Sequence, residues 1–193
     1  MKKHFIAAAL GLITVTGALA QTTAKPLHFV AGAGVTFGGD KLATTHYTDG
    51  SSSNITAGSG LALLVGAEYR VAEQFSVQGT VGYHIRFTPD ASNGDADFRR
   101  VPVELLGYYH INDQWRVGAG VRFVSNARLH GSGAASGLNA DFDNTTGAVL
   151  EGEYFVKPNV GLKLRAVREQ YTPTHSNVSF SGNHIGMLAN FYF

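Results

Sequence analysis

Apolar side chains in this chain recur at every second position, in segment after segment, and seldom at the three-to-four spacing of a helix. Leu61, Leu63, Val65, Ala67, Tyr69 and Val71 fall on one face, against Gly60, Ala62, Leu64, Gly66, Glu68 and Arg70 on the other. Phe75, Val77, Val81, Tyr83, Ile85 and Phe87 then oppose Ser76, Gln78, Thr80, Gly82, His84 and Arg86. Val101, Val103, Leu105, Tyr109 and Ile111 oppose Arg100, Glu104, Tyr108 and His110, and Trp115, Val117, Ala119, Val121 and Phe123 oppose Arg116, Gly118, Gly120 and Arg122. Leu150, Tyr154 and Val156 oppose Glu151 and Glu153, and Val160, Leu162, Leu164 and Ala166 oppose Gly161, Lys163 and Arg165. With Phe29–Phe37 at the start and Ile185–Phe193 at the end, the pattern predicts an all-β chain of eight strands.

The connections alternate in length. Ala72-Glu73-Gln74, Asn112-Asp113-Gln114 and Lys157-Pro158-Asn159 are short. The segments near 38–57, 88–97, 126–141 and 172–181 are long and rich in Gly, Ser, Thr, Asn and Asp. Short turns at one rim and long loops at the other describe an antiparallel up-and-down transmembrane barrel. Tyr69, Tyr109 and Tyr154 each precede a short turn, and six residues later come Phe75, Trp115 and Val160. By parity all six point outward, so Tyr69, Phe75, Tyr109, Trp115 and Tyr154 form an aromatic girdle beside the short turns. A soluble sandwich, the competing reading, gives no reason for that repeated offset.

Charge decides which face is inside. The polar face carries most of the ionisable groups, and an unpaired charge in an oily core costs several kcal/mol. The smooth apolar face therefore looks at lipid, and the sheet must close, because an open edge in hydrocarbon leaves backbone groups unpaired. Taking the middle residue of each short turn as a pivot pairs Glu104 with Arg122, Glu153 with Lys163, Glu151 with Arg165 and Glu68 with Gln78. An eight-stranded interior is largely filled by side chains, so these pairs read as a polar core before they read as an ion path.

The N-terminus adds a compartment. Lys2 and Lys3 precede an apolar stretch from Phe5 to Val15 and a small-x-small site, Ala18-Leu19-Ala20. That is the layout of a secretory signal peptide over 1–20, leaving a barrel domain over 21–193. The stretch falls short of the ~20 apolar residues a helical anchor needs. The chain has 15 basic and 14 acidic residues, and without Lys2 and Lys3 the balance is 13 against 14. Near-neutrality gives no electrostatic case for nucleic acid. The absence of Cys removes disulfides and thiolate metal sites.

On these residues the chain resembles the small outer-membrane β-barrels of Gram-negative bacteria, the OmpA/OmpX-type and opacity-protein-like family, across essentially all of the mature segment. The ending Ile185, Met187, Ala189, Phe191 and Phe193 resembles the C-terminal signal read by the barrel assembly machinery, with Phe191 and Phe193 as its aromatics. The stretch Phe98-Arg99-Arg100-Val101-Pro102-Val103 resembles that family's fourth strand, and Pro102 requires a ladder bond that can be spared. The resemblance implies insertion in the bacterial cell outer membrane with long loops facing outward; outer-membrane lipid and the assembly machinery are the expected partners, and a monomer is the expected state. It implies no single activity.

Few residues suggest chemistry. Gly34 to Gly39 lacks the Lys and Ser/Thr of a phosphate loop. The eight His are scattered without metal-ligand spacing, and neither a metal nor a cofactor is expected. His175-Ser176-Asn177, with Glu169 nearby, is similar to the His-x-Ser-Asn motif of lipid A deacylase barrels, but the spacing residue is missing and Thr174 stands where that family's His belongs. The leading expectation is a non-enzymatic barrel acting structurally, or through its loops on an unknown extracellular ligand. A narrow pore lined by Glu104, Arg122, Glu151, Glu153, Lys163 and Arg165 is the alternative, and a lipid A hydrolase using Ser176, His175 and Glu169 the weakest reading.

Overall fold

Period-two alternation becomes eight antiparallel strands joined in chain order in the computed structural model, which describes residues 26–46, 52–87 and 95–193. The signal segment and parts of two long connections lie outside the described residues. The barrel strands are β1 (Leu27–Gly38), β2 (Gly60–Ala72), β3 (Phe75–Phe87), β4 (Ala96–His110), β5 (Trp115–Gly131), β6 (Thr145–Lys157), β7 (Val160–Arg168) and β8 (His184–Tyr192). Each pairs with its sequence neighbours, and β1 pairs with β8, so no edge is left open. The seam is completed at the C-terminus, where the Phe29 and Phe193 backbones exchange hydrogen bonds of 2.8 and 3.0 Å. Among the described residues no helix is long and apolar enough to cross a membrane.

The short turns set the register of each hairpin. Asn112 accepts backbone hydrogen bonds from Gln114 and Trp115 at 2.8 Å each, an Asx turn that starts β5. Pro102 interrupts a ladder: β3 and β4 pair up to Val81 with Val103 and again from His84 with Arg100, with no pairing between. Large apolar side chains, among them Leu63, Val65, Val121, Leu150, Leu164 and Met187, stand exposed on the outer surface. Arg116, Arg122, Lys163, Glu104, Glu151 and Glu153 are buried inside.

Above the membrane band the architecture departs from the sequence expectation. The segments read as plain loops contain further sheet. β5 runs on to Gly131 and pairs with Ala140–Asp141. A hairpin of Lys41–His46 with Ser52–Thr56 folds within the first long connection, and Gln170–Tyr171 pairs with Phe180–Ser181 in the last. A bulge separates the two levels. The β4–β5 register shifts between Arg99 and Val101, opposite Ser125 to Arg128, and Asn126 there has φ +52°. Asn is among the few residues that occupy this left-handed region at small cost.

Candidate functional site

The interior holds one alternating chain of charges. From the loop end it runs Glu169, Arg122, Glu104, Arg165, Glu151, Lys163, Glu153, Arg116, Glu68. Arg122 meets Glu169 at 2.9 Å and Glu104 at 2.6 Å. Arg165 bridges Glu104 at 2.7 Å and Glu151 at 2.9 Å. Lys163 meets Glu151 at 2.8 Å and Glu153 at 3.8 Å. Arg116 closes the chain with Glu153 at 2.7 Å and Glu68 at 2.5 Å. Alternation arises because inward positions on neighbouring strands lie side by side, and Glu104, Glu151 and Glu153 each sit between two cations.

Aromatic groups thread this chain. Arg116 donates to the Tyr192 hydroxyl at 2.5 Å, and that hydroxyl donates to Glu153 at 2.8 Å. The Arg116 guanidinium lies 4.1 Å from the Tyr108 ring centre and about as near Phe155 and Tyr192, at 5.0 and 5.1 Å. Lys163 donates to the Tyr108 hydroxyl at 2.8 Å, and Tyr108 donates to Glu151. Gly118 gives Tyr108 its room, because a side chain there would overlap the ring.

At the loop end the interior changes character. Arg100 is fully buried and stacks over Phe98, 4.9 Å from the ring centre. It reaches His84 at 3.1 Å, but among the described residues it forms no ion pair and its Nε and Nη1 have no hydrogen-bond partner. Above it lies an apolar cap. Phe98, Phe142 and Tyr171 meet edge to face at 5.3 to 6.2 Å. Ile55, Ala57, Val124, Ala127 and Leu129 fill the space around them. The Tyr171 hydroxyl donates to Glu169 at 2.7 Å, which ties the cap to the charge chain. Burial pushes that hydroxyl well above the usual tyrosine range, so it remains a donor.

The structure places Glu104 opposite Arg122, Glu153 opposite Lys163, Glu151 opposite Arg165 and Glu68 opposite Gln78. Tyr69, Phe75, Tyr109, Trp115 and Tyr154 stand on the outer wall beside the short turns; Phe75 packs on Tyr109 at 5.3 Å and Trp115 on Tyr154 at 4.8 Å. Phe191 and Phe193 are exposed on the same surface. His175 and Ser176 lie in an exposed turn, with the Ser176 Oγ accepting from the Val178 backbone at 3.1 Å. Glu169 is engaged by Arg122 and Tyr171 inside the barrel, whereas His175 and Ser176 lie in the exposed turn.

Sequence reasoning missed Arg116, Tyr108, Tyr192 and Arg100 as members of the site. Hairpin turns place Arg116 opposite His110, a neutral partner. Its carboxylates come from β6, one strand over, and from Glu68 across the lumen. Among the described residues no group of three side chains is arranged to hold a metal ion.

A closed meander of eight strands, oily outside and ionic within, is the build of a bacterial outer-membrane β-barrel protein. Solved structures of that kind superimpose on it. The attachment invasion locus protein Ail of Yersinia pestis has a TM-score of 0.55 and 14% identity, over 86% of this chain and 96% of that one. A second Ail structure, in complex with the heparin analogue sucrose octasulfate, gives 0.54 and 13%, over 87% and 99%. Neisserial surface protein A gives 0.54 and 13%, over 88% and 98%. No family model matches the chain, and no curated relative does. The likeness is one of fold.

Proposed function

We propose that this chain is a closed, non-conducting outer-membrane barrel that acts through its loop-bearing outer end, as a structural or surface-interaction protein. The apolar cap over the charge chain carries this reading. Cap residues come from the first, third and fourth long connections and from β4 and β5, and they cover the barrel mouth with Phe98, Phe142 and Tyr171 at the centre. Below them, a void between Thr80, His84, Glu104, Arg122 and Arg165 measures about 10 Å³, room for about one water. A conducting path needs a continuous file of such spaces, and the ion-paired side chains occupy that route.

The pore reading is tested by purified protein in planar bilayers. The expected result is no unitary current; steps that change on charge reversal at Glu104 or Arg165 refute the closed barrel. The surface role is tested by replacing 174–179 with a Gly-Ser segment in cells displaying the protein. Retention of those cells on heparin-agarose is the readout, a probe suggested by the sulfated ligand bound to Ail. Loss of retention with unchanged barrel folding supports the loop reading; equal retention counts against it. The hydrolase reading is tested on lipid A from expressing cells: unchanged acylation is expected, and loss of an acyl chain would favour the hydrolase instead.

A further inference from the structure

The lipid-facing wall carries a depression near its outer rim. Strand register sets its shape. Leu150 on β6, Ala166 on β7, Ile185 on β8 and Phe37 on β1 lie in one row across the wall, with Ala148 beside Arg168 one step above. The two alanines among larger neighbours leave a hollow of about 530 Å³ that includes all six residues in its lining. The β7–β8 ladder ends at Val167 with His184, so Arg168 has a strand beside it on the β6 side only.

Arg168 differs from the other exposed or half-exposed arginines. Arg99 pairs with Asp97, and Arg128 with Asp141 at 3.0 Å. Arg86 donates to the Asn54 carbonyl at 3.4 Å and Arg70 to that of Glu73 at 2.7 Å. Arg168 is exposed, and its side chain has no hydrogen bond or ion pair among the described residues. Its backbone lies just inside the outer edge of the apolar band. From Val160 at the short turn, eight residues rise about 26 Å along the strand, or about 20 Å of membrane at a tilt near 40°, against an apolar band of about 25 Å. A side chain of this length reaches the remaining distance by extending toward the polar zone.

We infer that this hollow is a binding site for one lipid of the outer leaflet whose phosphate headgroup carries net negative charge, its acyl chain lying over Ala148 and Ala166 and its phosphate on Arg168. The wall faces hydrocarbon, so an acyl chain is the natural filling. The unpaired guanidinium supplies the complementary charge for an anionic headgroup. A second copy of the chain fits less well, because a two-fold contact centred there sets two unpaired Arg168 side chains against each other.

The test is native mass spectrometry of the folded protein in neutral detergent, with phosphatidylglycerol, phosphatidylcholine or inorganic phosphate added. Wild type is expected to retain one phosphatidylglycerol at concentrations where phosphatidylcholine leaves none. Arg168→Gln is expected to weaken retention ~5-fold, the effect of one basic residue at a lipid surface. Ala166→Trp fills the hollow and weakens it comparably, while Arg128→Gln leaves it unchanged. Heat-modifiable gel mobility shows that each variant is folded. Equal retention of both lipids, no effect of Arg168→Gln, inorganic phosphate held without lipid, or a dimer in place of a lipid adduct overturns the assignment.

Discussion

Replacing Arg116 with Met tests the energetics of the interior most directly. The guanidinium is completely buried. It contacts Glu153 through Nε at 2.9 Å and Nη2 at 2.7 Å, and Glu68 through Nη1 at 2.5 Å. Met keeps much of the volume and the contact with Tyr108 but removes the charge. Glu153 retains Tyr192 at 2.8 Å and Lys163 at 3.8 Å. Glu68 loses its only ion pair among the described residues. Stranding a buried charge in this way costs about 3–5 kcal/mol. The exposed Arg128–Asp141 pair is the internal reference: at 67% and 70% side-chain exposure, Arg128→Ala is expected to cost about 0–1 kcal/mol.

The assay is urea unfolding in lipid vesicles, followed by emission of Trp115, the one tryptophan, and checked by heat-modifiable mobility. Adding Glu68→Gln to Arg116→Met removes the stranded charge and is expected to recover much of the loss. If Arg116→Met costs no more than Arg128→Ala, or if Glu68→Gln deepens the loss, the charge chain does not stabilise the barrel as argued.

Other substitutions probe single features. Arg100→Met breaks no ion pair among the described residues but leaves five interior carboxylates against four cations, so its cost is expected to exceed the ~1 kcal/mol ceiling of an exposed pair, read in the same unfolding assay. Gly118→Val pushes into the Tyr108 ring and is expected to cost about 1–3 kcal/mol, with Lys163 and Glu151 losing their shared hydroxyl. Asn126→Gly keeps the left-handed bulge residue and is expected to be near neutral, whereas Asn126→Val loses about 1–2 kcal/mol, measured by urea midpoint. Trp115 is expected to be quenched by a lipid-borne quencher at headgroup depth and little by one at the bilayer centre; the reverse order refutes its place in the girdle.

Much of the barrel was legible because two simple periods coincide. Alternation assigns each side chain a face, and a short turn fixes which residues meet across a hairpin. Glu104 with Arg122 and Glu151 with Arg165 follow from those two rules alone. Pairings between hairpins do not. Arg116 with Glu153 depends on how β5 and β6 align across a long connection, and no turn residue records that alignment. The cap was hidden for another reason. Ile55, Phe142 and Tyr171 lie in segments whose Gly, Ser, Thr and Asn content reads as loop, and isolated apolar residues there show no period. On β5 strict alternation beyond Val124 sends Arg128 and His130 inward. The extra residue at Asn126 reverses this, so that Ala127 and Leu129 are buried and the charged positions face out.

That reversal lets one barrel obey two solvents. Below the bulge the outside is oil and the inside carries charge; above it the outside is water and the inside is packed with apolar side chains. The alternating chain begins and ends in a carboxylate, with five acids against four bases, and so carries one uncompensated negative charge along its length. Arg100, buried between the chain and the cap, restores neutrality without pairing to any one of them. An interior balanced by its own side chains needs no mobile counterions from either side of the membrane, so sealing its outer mouth with Phe98, Phe142 and Tyr171 traps no net charge in a space cut off from water.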